Sequence, residues 1–401
     1  MAKMIGPWTN RTNPVLTNTG MDYLDKYKVI ICTAGQTARK SSGMFASLDK
    51  NYKFIDTSYY AKNRLFKPFN IMYNATISDL RFSADKTYAV MLRVNDLLFF
   101  KKDTDSRYYP LEPTITGALG GSYMCDISPD GQYAVNFSAT SPYLQFYKRT
   151  GDTWAALPTI SAPVTPTNGV GTLGRIFNNN NLAYVGNNGS NGNIIQVFAY
   201  SSGAGTFVAQ TTTGIPTVAS SSNAPSLAIY SNNYFVTAGI NVPRLRFYKT
   251  SDGLNFTDLS ANISSVLGYQ YYNATWDPSG TYLFANLNGT GVANTPFCMY
   301  KRAGDTLTLL SGAFDVQPIN SIVTNRNSVT WSNDSKFLSI AGGNSLTDTS
   351  YGIWLYKRDG DSFTKVGGYD MPMGGAWTTG TTPDFDYQNT FSGAVNKIFW
   401  L

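Results

Sequence analysis

The chain has 401 residues, 42% hydrophobic and 14% aromatic but only 14% charged, with a net charge of +6 and no histidine. This composition can bury a large core and is not that of a disordered chain, while the missing imidazole excludes Ser-His-Asp and Cys-His catalysis, His-bearing zinc sites and His proton shuttles. Basic residues come in ones and twos, so no nucleic-acid footprint is evident. No run approaches the ~18 apolar residues of a membrane span, and the N-terminus lacks the apolar stretch of a secretory signal. Glu112 is the only glutamate, every other carboxylate being an aspartate, a residue suited to turns rather than helix interiors. Cys32, Cys125 and Cys298 are odd in number, far apart and in or beside predicted strands, which predicts buried thiols rather than a disulfide framework.

Residues 1–20 are polar and interrupted by Pro7 and Pro14, and they read as an arm, with a neighbouring subunit or the chain's own domain to hold it. Residues 21–401 read as one domain. Lys28 to Thr33, Gly43 to Leu48 and Tyr52 to Ile55 are three short predicted strands that lack a partner at their start. Two phrases then alternate. The first is a strand, a tight turn and a strand: LRFSADKTYAV from Leu80, CDISPDGQYAV from Cys125, ATWDPSGTYLF from Ala274 and VTWSNDSKFLS from Val329, with degenerate copies from Arg175 and Ala228. The second is an aromatic-bearing hairpin: LLFFKKDTDSRYYPL from Leu97, LQFYKRTGDTWAAL from Leu144, LRFYKTSDGLNFTDL from Leu245, FCMYKRAGDTLTLL from Phe297 and IWLYKRDGDSFTKV from Ile353, with a weakened copy, IQVFAYSSGAGTFV, from Ile195. A recurrence of about 50 residues belongs to propeller arrays.

Each repeat predicts a four-stranded antiparallel meander, and six of them run from about residue 76 to 366. Phe82, Ile127, Phe177, Tyr230, Trp276 and Trp331 share one column, and Tyr88, Tyr133, Tyr282 and Phe337 another, as expected of blades that bury both faces. An open array would leave strand edges exposed at both ends. Pairing the tail, AVNKIFWL, with the early strands removes them. The expected fold is all-β, a seven-bladed β-propeller of four-stranded antiparallel blades closed by N- and C-terminal strands, with eight blades as the alternative count.

The combination of SPDGQY at 128–133 with hairpins such as YKRDGDSFTKV from Tyr356 resembles the WD-repeat-like propeller units of bacteriophage structural and tail-associated proteins. The likeness covers roughly three quarters of the chain, whereas the Gly-His and Trp-Asp dipeptides of eukaryotic WD repeats do not recur at the period. It implies a virion component with no catalytic residues to carry over.

Paired aspartates keep a glycosidase open, yet Asp85, Asp130 and Asp334 fall in the first turn and Asp103, Asp152, Asp305 and Asp361 in the second, where turn capping is the simpler role. The sialidase signature is missing. The pairs Asp103/Asp105 and Asp359/Asp361 lack the further acidic ligands of a calcium loop, and Leu119 to Ser122 opens no phosphate loop. No metal or cofactor is expected.

In a meander the first and third turns share one side, and here these are the short, repeated ones. The long, dissimilar connections fall on the other side, the predicted partner-facing surface, with Asn187, Asn193, Asn241, Tyr269, Tyr351 and Trp377 as candidate binding residues. Of the cluster Tyr269, Tyr271 and Tyr272, core packing is the simpler reading. The expected function is a non-enzymatic virion structural protein in the tail, fibre or adhesion apparatus or decorating the particle, assembled in the host cytoplasm. It would bind other virion proteins, with residues 1–20 as a candidate attachment, and a host-surface glycan is a further expected partner; no nucleic acid and no membrane insertion are expected. The alternatives are a carbohydrate-binding receptor recogniser and an Asp-dependent glycan hydrolase.

Overall fold

The computed structural model describes residues 23–33, 43–49, 54–56, 77–93, 96–104, 107–115, 122–138, 142–160, 177, 179–186, 194–216, 226–231, 233–239, 244–264, 270–288, 297–315, 328–342, 352–370 and 395–400. The fold is all-β and propeller-like: the described residues form six four-stranded antiparallel sheets and one of three strands. The predicted N-terminal arm lies outside the described residues.

Sheet 1 places Val395–Trp400 beside Tyr23–Thr33, followed by Gly43–Asp49 and Phe54–Asp56. The chain's last strand runs antiparallel to its first described one, with Val29 opposite Trp400 and Ile31 opposite Ile398. Sheets 2 to 7 are sequential meanders. Sheet 2 is Ile77–Phe82, Tyr88–Arg93, Asp96–Lys102 and Tyr108–Ile115, and sheet 3 is Ser122–Ile127, Tyr133–Ser138, Leu144–Thr150 and Thr153–Ala156. Sheet 4 is Leu182–Gly186, Ile195–Ser201 and Thr206–Gln210, with only the bridge Phe177 to Ala183 ahead of it among the described residues. Sheet 5 begins at Ser226–Tyr230 and ends at Phe256–Asp258, sheet 6 runs from Gln270–Trp276 to Thr306–Leu309, and sheet 7 from Ser328–Trp331 to Ser362–Asp370.

Local chemistry explains the first turn. In sheet 3, Ser128 Oγ accepts the backbone N–H of Tyr133 and donates to Asp130, whose carboxylate accepts the N–H of Gln132. Ser83 with Asp85 and Ser332 with Asp334 repeat the device, and in sheet 6 Asp277 itself accepts the N–H of Tyr282. These side chains hold a turn that ends in a left-handed residue, Gly131 at φ 68° and Gly280 at φ 66°, a conformation that costs an L-residue about 1–2 kcal/mol.

The core sits between sheets rather than at one centre. Val90, Phe99, Cys125, Tyr147 and Trp154 pack where sheet 2 meets sheet 3, and Phe137, Phe146, Phe198 and Phe207 where sheet 3 meets sheet 4. Tyr184, Val197, Leu227 and Phe256 join sheets 4 and 5; Phe247, Trp276 and Tyr300 join sheets 5 and 6; Phe284, Phe314 and Trp331 join sheets 6 and 7. A strand covered on both faces reads as an apolar run, as in Tyr133–Ser138, where every residue is buried. The first strand of one sheet lies against the first strand of the next, as Ile77–Phe82 does on Ser122–Ile127 and Ser226–Tyr230 on Gln270–Trp276. Val395–Trp400 lies against Ser328–Trp331 on one side and Ile77–Phe82 on the other, so these strands form the inner layer.

Candidate functional site

Asn187, Asn193, Asn241, Tyr269, Tyr351 and Trp377, the predicted binding residues, all lie outside the described residues. What the described strands fix is the side on which each connection leaves: Ser138 to Leu144, Ala238 to Leu245 and Asn288 to Phe297 start and end opposite the short turns. Tyr271 is in the core, its hydroxyl 2.8 Å from that of Tyr300 and its side chain fully buried.

The short-turn side is occupied by a repeated clasp of four residues. Between sheets 6 and 7, Lys301 Nζ donates to Asp361 at 2.8 Å, Tyr282 donates its hydroxyl to the same carboxylate at 2.6 Å, and Arg358 lies 4.9 Å above the Tyr282 ring while donating to Ser335 O. Between sheets 5 and 6, Lys249 and Tyr234 both donate to Asp305, with Arg302 over the Tyr234 ring and bonded to Gly280 O. Between sheets 2 and 3, Lys101 pairs with Asp152 at 2.9 Å, and Arg149 sits 3.8 Å over Tyr88 while donating to Gly131 O. This corrects the turn-capping role expected for Asp152, Asp305 and Asp361. Their carboxylates leave their own hairpins and hold the sheet before, because the short GD turn brings them to that sheet's lysine. Asp103 does cap its own turn, through the N–H of Thr104.

The electrostatics agree with the geometry. Bonds from Lys301 and Tyr282 hold the Asp361 carboxyl below its usual range, and Lys249 and Tyr234 do the same for Asp305. The lysines move up in return, Lys301 through Asp361 and Lys249 through Asp305. Between sheets 3 and 4 the clasp is altered: Tyr200 takes the arginine's place, 4.9 Å from the Tyr133 ring, and Lys148 donates to its hydroxyl.

The inner layer carries a second polar group that sequence reasoning missed. Asp79, fully buried on the first strand of sheet 2, accepts the N–H of Cys125 on the first strand of sheet 3, and Asp126 accepts the N–H of Phe177 in the next unit. Each carboxylate thus takes up a backbone N–H of the next unit's first strand position. Arg81 lies 3.4 Å from Asp79, with a fifth of its side chain exposed. Burial works against its charge, and Asp79 and Asp126 outweigh that, so its pKa is raised. Thr275 and Thr330 stand in the same column on sheets 6 and 7, both half-buried. The signal was available, since an Arg and an Asp replace the Ile and Thr of the other repeats at one strand position.

Little in this arrangement is reactive. No group of three or more Cys, Asp or Glu able to hold a metal occurs among the described residues. Cys125 and Cys298 are buried and in no disulfide, and burial pushes the Cys298 thiol far up, away from the thiolate a nucleophile needs. The buried phenols are raised too, Tyr248 to about 12 by burial.

No family model matches the chain, and no curated protein sequence is similar to it. Its fold is similar to that of a protein from Lactobacillus plantarum (TM-score 0.55, 13% identity, covering 94% of this chain and 99% of that one). It is also similar to candidate 6-phosphogluconolactonases from Bacteroides uniformis (TM-score 0.59, 12% identity, 95% and 100% covered) and Bacteroides fragilis (TM-score 0.56, 13% identity, 95% and 98% covered). These likenesses carry the propeller-like fold. They overturn the expected role as a non-enzymatic virion structural protein: the similar folds come from bacterial proteins, two of them described as sugar-lactone enzymes, so a propeller of this kind is no ground for a particle component. The receptor-recognition and glycan-hydrolase alternatives are set aside with it.

Proposed function

We propose that the chain is a ring of seven blades sealed where Val395–Trp400 pairs with Tyr23–Thr33, and that it works as a rigid, non-catalytic binding platform. The partner is taken on the side of the long, dissimilar connections. The observation that carries this reading is the clasp: the repeated Lys, Asp, Arg and Tyr side chains of the short-turn side are engaged in holding one sheet to the next. Charge spent on the frame leaves the opposite side to vary, and loops on a rigid scaffold commonly carry recognition.

A second reading, hydrolysis of a sugar lactone, is favoured by the two Bacteroides proteins of like fold. The inner-layer Arg81 would face an anionic substrate there, with Asp126 beside it. One experiment separates the two. Lactone opening releases a carboxylic acid, so the purified chain is incubated with 6-phosphogluconolactone and unphosphorylated sugar lactones, and acid release is followed with an indicator dye. The platform reading expects the rate of buffer alone. Turnover that is lost in Arg81→Ala overturns it in favour of the hydrolase.

A further inference from the structure

We infer that the ring has a built-in opening point between sheets 4 and 5, where the clasp is missing. All four of its positions have changed. By strand register, Leu182 stands where the tyrosine would be and Ala199 where the lysine would be, since Ala199 is opposite Leu182 as Lys148 is opposite Tyr133. Thr250 takes the arginine's place, opposite Phe256 as Arg149 is opposite Trp154. Three residues after the arginine's place, where the clasped hairpins carry the acid, stands Gly253, and the adjacent Asp252 is turned into its own hairpin, where it accepts the N–H groups of Leu254 and Asn255, the Asn255 side-chain amide and the Thr250 hydroxyl. Four bonds within one turn hold that carboxylate, and the sheet before offers an alanine where the lysine would stand.

A second observation falls at the same place. The Tyr184 hydroxyl is buried between these sheets with no hydrogen-bond partner, as the Trp154, Trp276 and Trp331 indole N–H groups are at the clasped contacts, and Gly253 is so close that a Cβ there would lie 2.4 Å from the hydroxyl. A buried hydroxyl without a partner is destabilising, and opening returns it to water. The centre of the contact is apolar, with Val197, Leu227, Phe235 and Phe256, and at its edge Thr213 meets Asn255 through a backbone bridge and donates its hydroxyl to the Asn255 side chain at 2.7 Å. Such bridges also join Ile263 to Leu307 and Phe314 to Phe363 across the clasped seams, so they do not offset the difference. Chain connectivity suggests instead that a ring opens where its two ends meet. Here the ends share a hydrogen-bonded strand pair, whereas among the described residues sheets 4 and 5 share side-chain packing, one bridge and the Thr213 to Asn255 side-chain bond.

The native thiols make the test internal. Cys125 faces the clasped contact between sheets 2 and 3, and Cys298 the clasped contact between sheets 5 and 6. In a Cys32→Ser background, Val197→Cys puts a third thiol between sheets 4 and 5, and labelling by a disulfide reagent reads opening at each place. The introduced thiol is expected to react about tenfold faster than the other two, the factor that losing one ion pair and one cation-π contact corresponds to. Tyr184→Phe should slow it several-fold, and Lys249→Ala should speed Cys298 while leaving the introduced thiol unchanged. If Val197→Cys fails to fold, Leu227→Cys reports from the facing sheet. Equal rates at all three thiols, or a slower one between sheets 4 and 5, would overturn the inference.

Discussion

Gly280 and Gly304 lie in the same sheet and both take left-handed backbone, at φ 66° and 57°, but only one of them faces a neighbour. A Cβ at Gly304 would meet nothing within 4 Å, whereas one at Gly280 would lie 2.2 to 2.3 Å from three ring atoms of Tyr230 in the sheet before. That ring cannot swing aside freely, because Trp276 packs against it at 6.1 Å and Arg302 lies 5.3 Å from its centroid. Gly304→Ala should therefore carry only the backbone cost, about 1 kcal/mol. Gly280→Ala adds the overpacking of a filled contact, for a total of about 2–4 kcal/mol. The measurement is the urea midpoint of each variant by tryptophan fluorescence, compared at equal slope. The double variant Tyr230→Ala, Gly280→Ala isolates the contact: against a Tyr230→Ala reference, the glycine substitution should fall back to the cost seen at Gly304. Equal midpoints for Gly280→Ala and Gly304→Ala would refute the claim that the first-turn glycine is required by the neighbouring sheet.

Trp154, 1% exposed and stacked at 4.3 Å on Phe99 of the sheet before, should cost about 3–5 kcal/mol when changed to alanine, read from the same urea midpoint. Stability should stay level from pH 8 down to 5. Asp305 and Asp361 have lowered folded values, so their contribution is present above the ordinary 3.8 and is lost as acid carries the pH down through the folded values. On the alkaline side Lys249, Lys301 and Tyr282 have raised values, so what they contribute is whole below their ordinary 10.5 and 10.0 and is lost as the pH rises through the folded ones. A melting-temperature series from pH 2 to 11 checks both limbs, and a step near pH 6.5 would contradict them. The pair Lys301 and Asp361 is exposed, 41% and 44% at its side chains. The coupling between Lys301→Ala and Asp361→Asn in a double-mutant cycle should therefore be small at low salt and absent at about 1 M, where screening acts over about 3 Å.

The repeat was legible because its residues do two jobs at once. In SPDG and its variants, Ser and Asp satisfy backbone N–H groups locally, and local bonding depends only on spacing along the chain. The strand columns were legible for the same reason, since a residue covered on both faces must be apolar wherever its neighbours come from. The partner of Asp361 was not. Its lysine is 60 residues away in sequence, and nothing in YKRDGDSF says that the carboxylate bonds outward instead of to its own turn. Arg358 in the same phrase reads as one more surface charge until Tyr282 is found beneath it. Asp79, Arg81 and Asp126 were passed over because a charge on an inner strand makes sense only once the backbone N–H groups of the next unit are seen beside it.

Sequence alone determined the β-strand content, the recurring meander and the buried columns, since each follows from chemistry repeated at short range. Only the tertiary structure decided what the repeated polar residues are for. A carboxylate can bond its own turn or a lysine about 50 residues away with similar ease, and the choice rests on how closely two sheets approach. Ala199 and Asp252 make the point. The hairpin that elsewhere sends an acid across has Gly253 in that place and Asp252 bonded within its own turn, and the neighbouring sheet has an alanine where the lysine would stand.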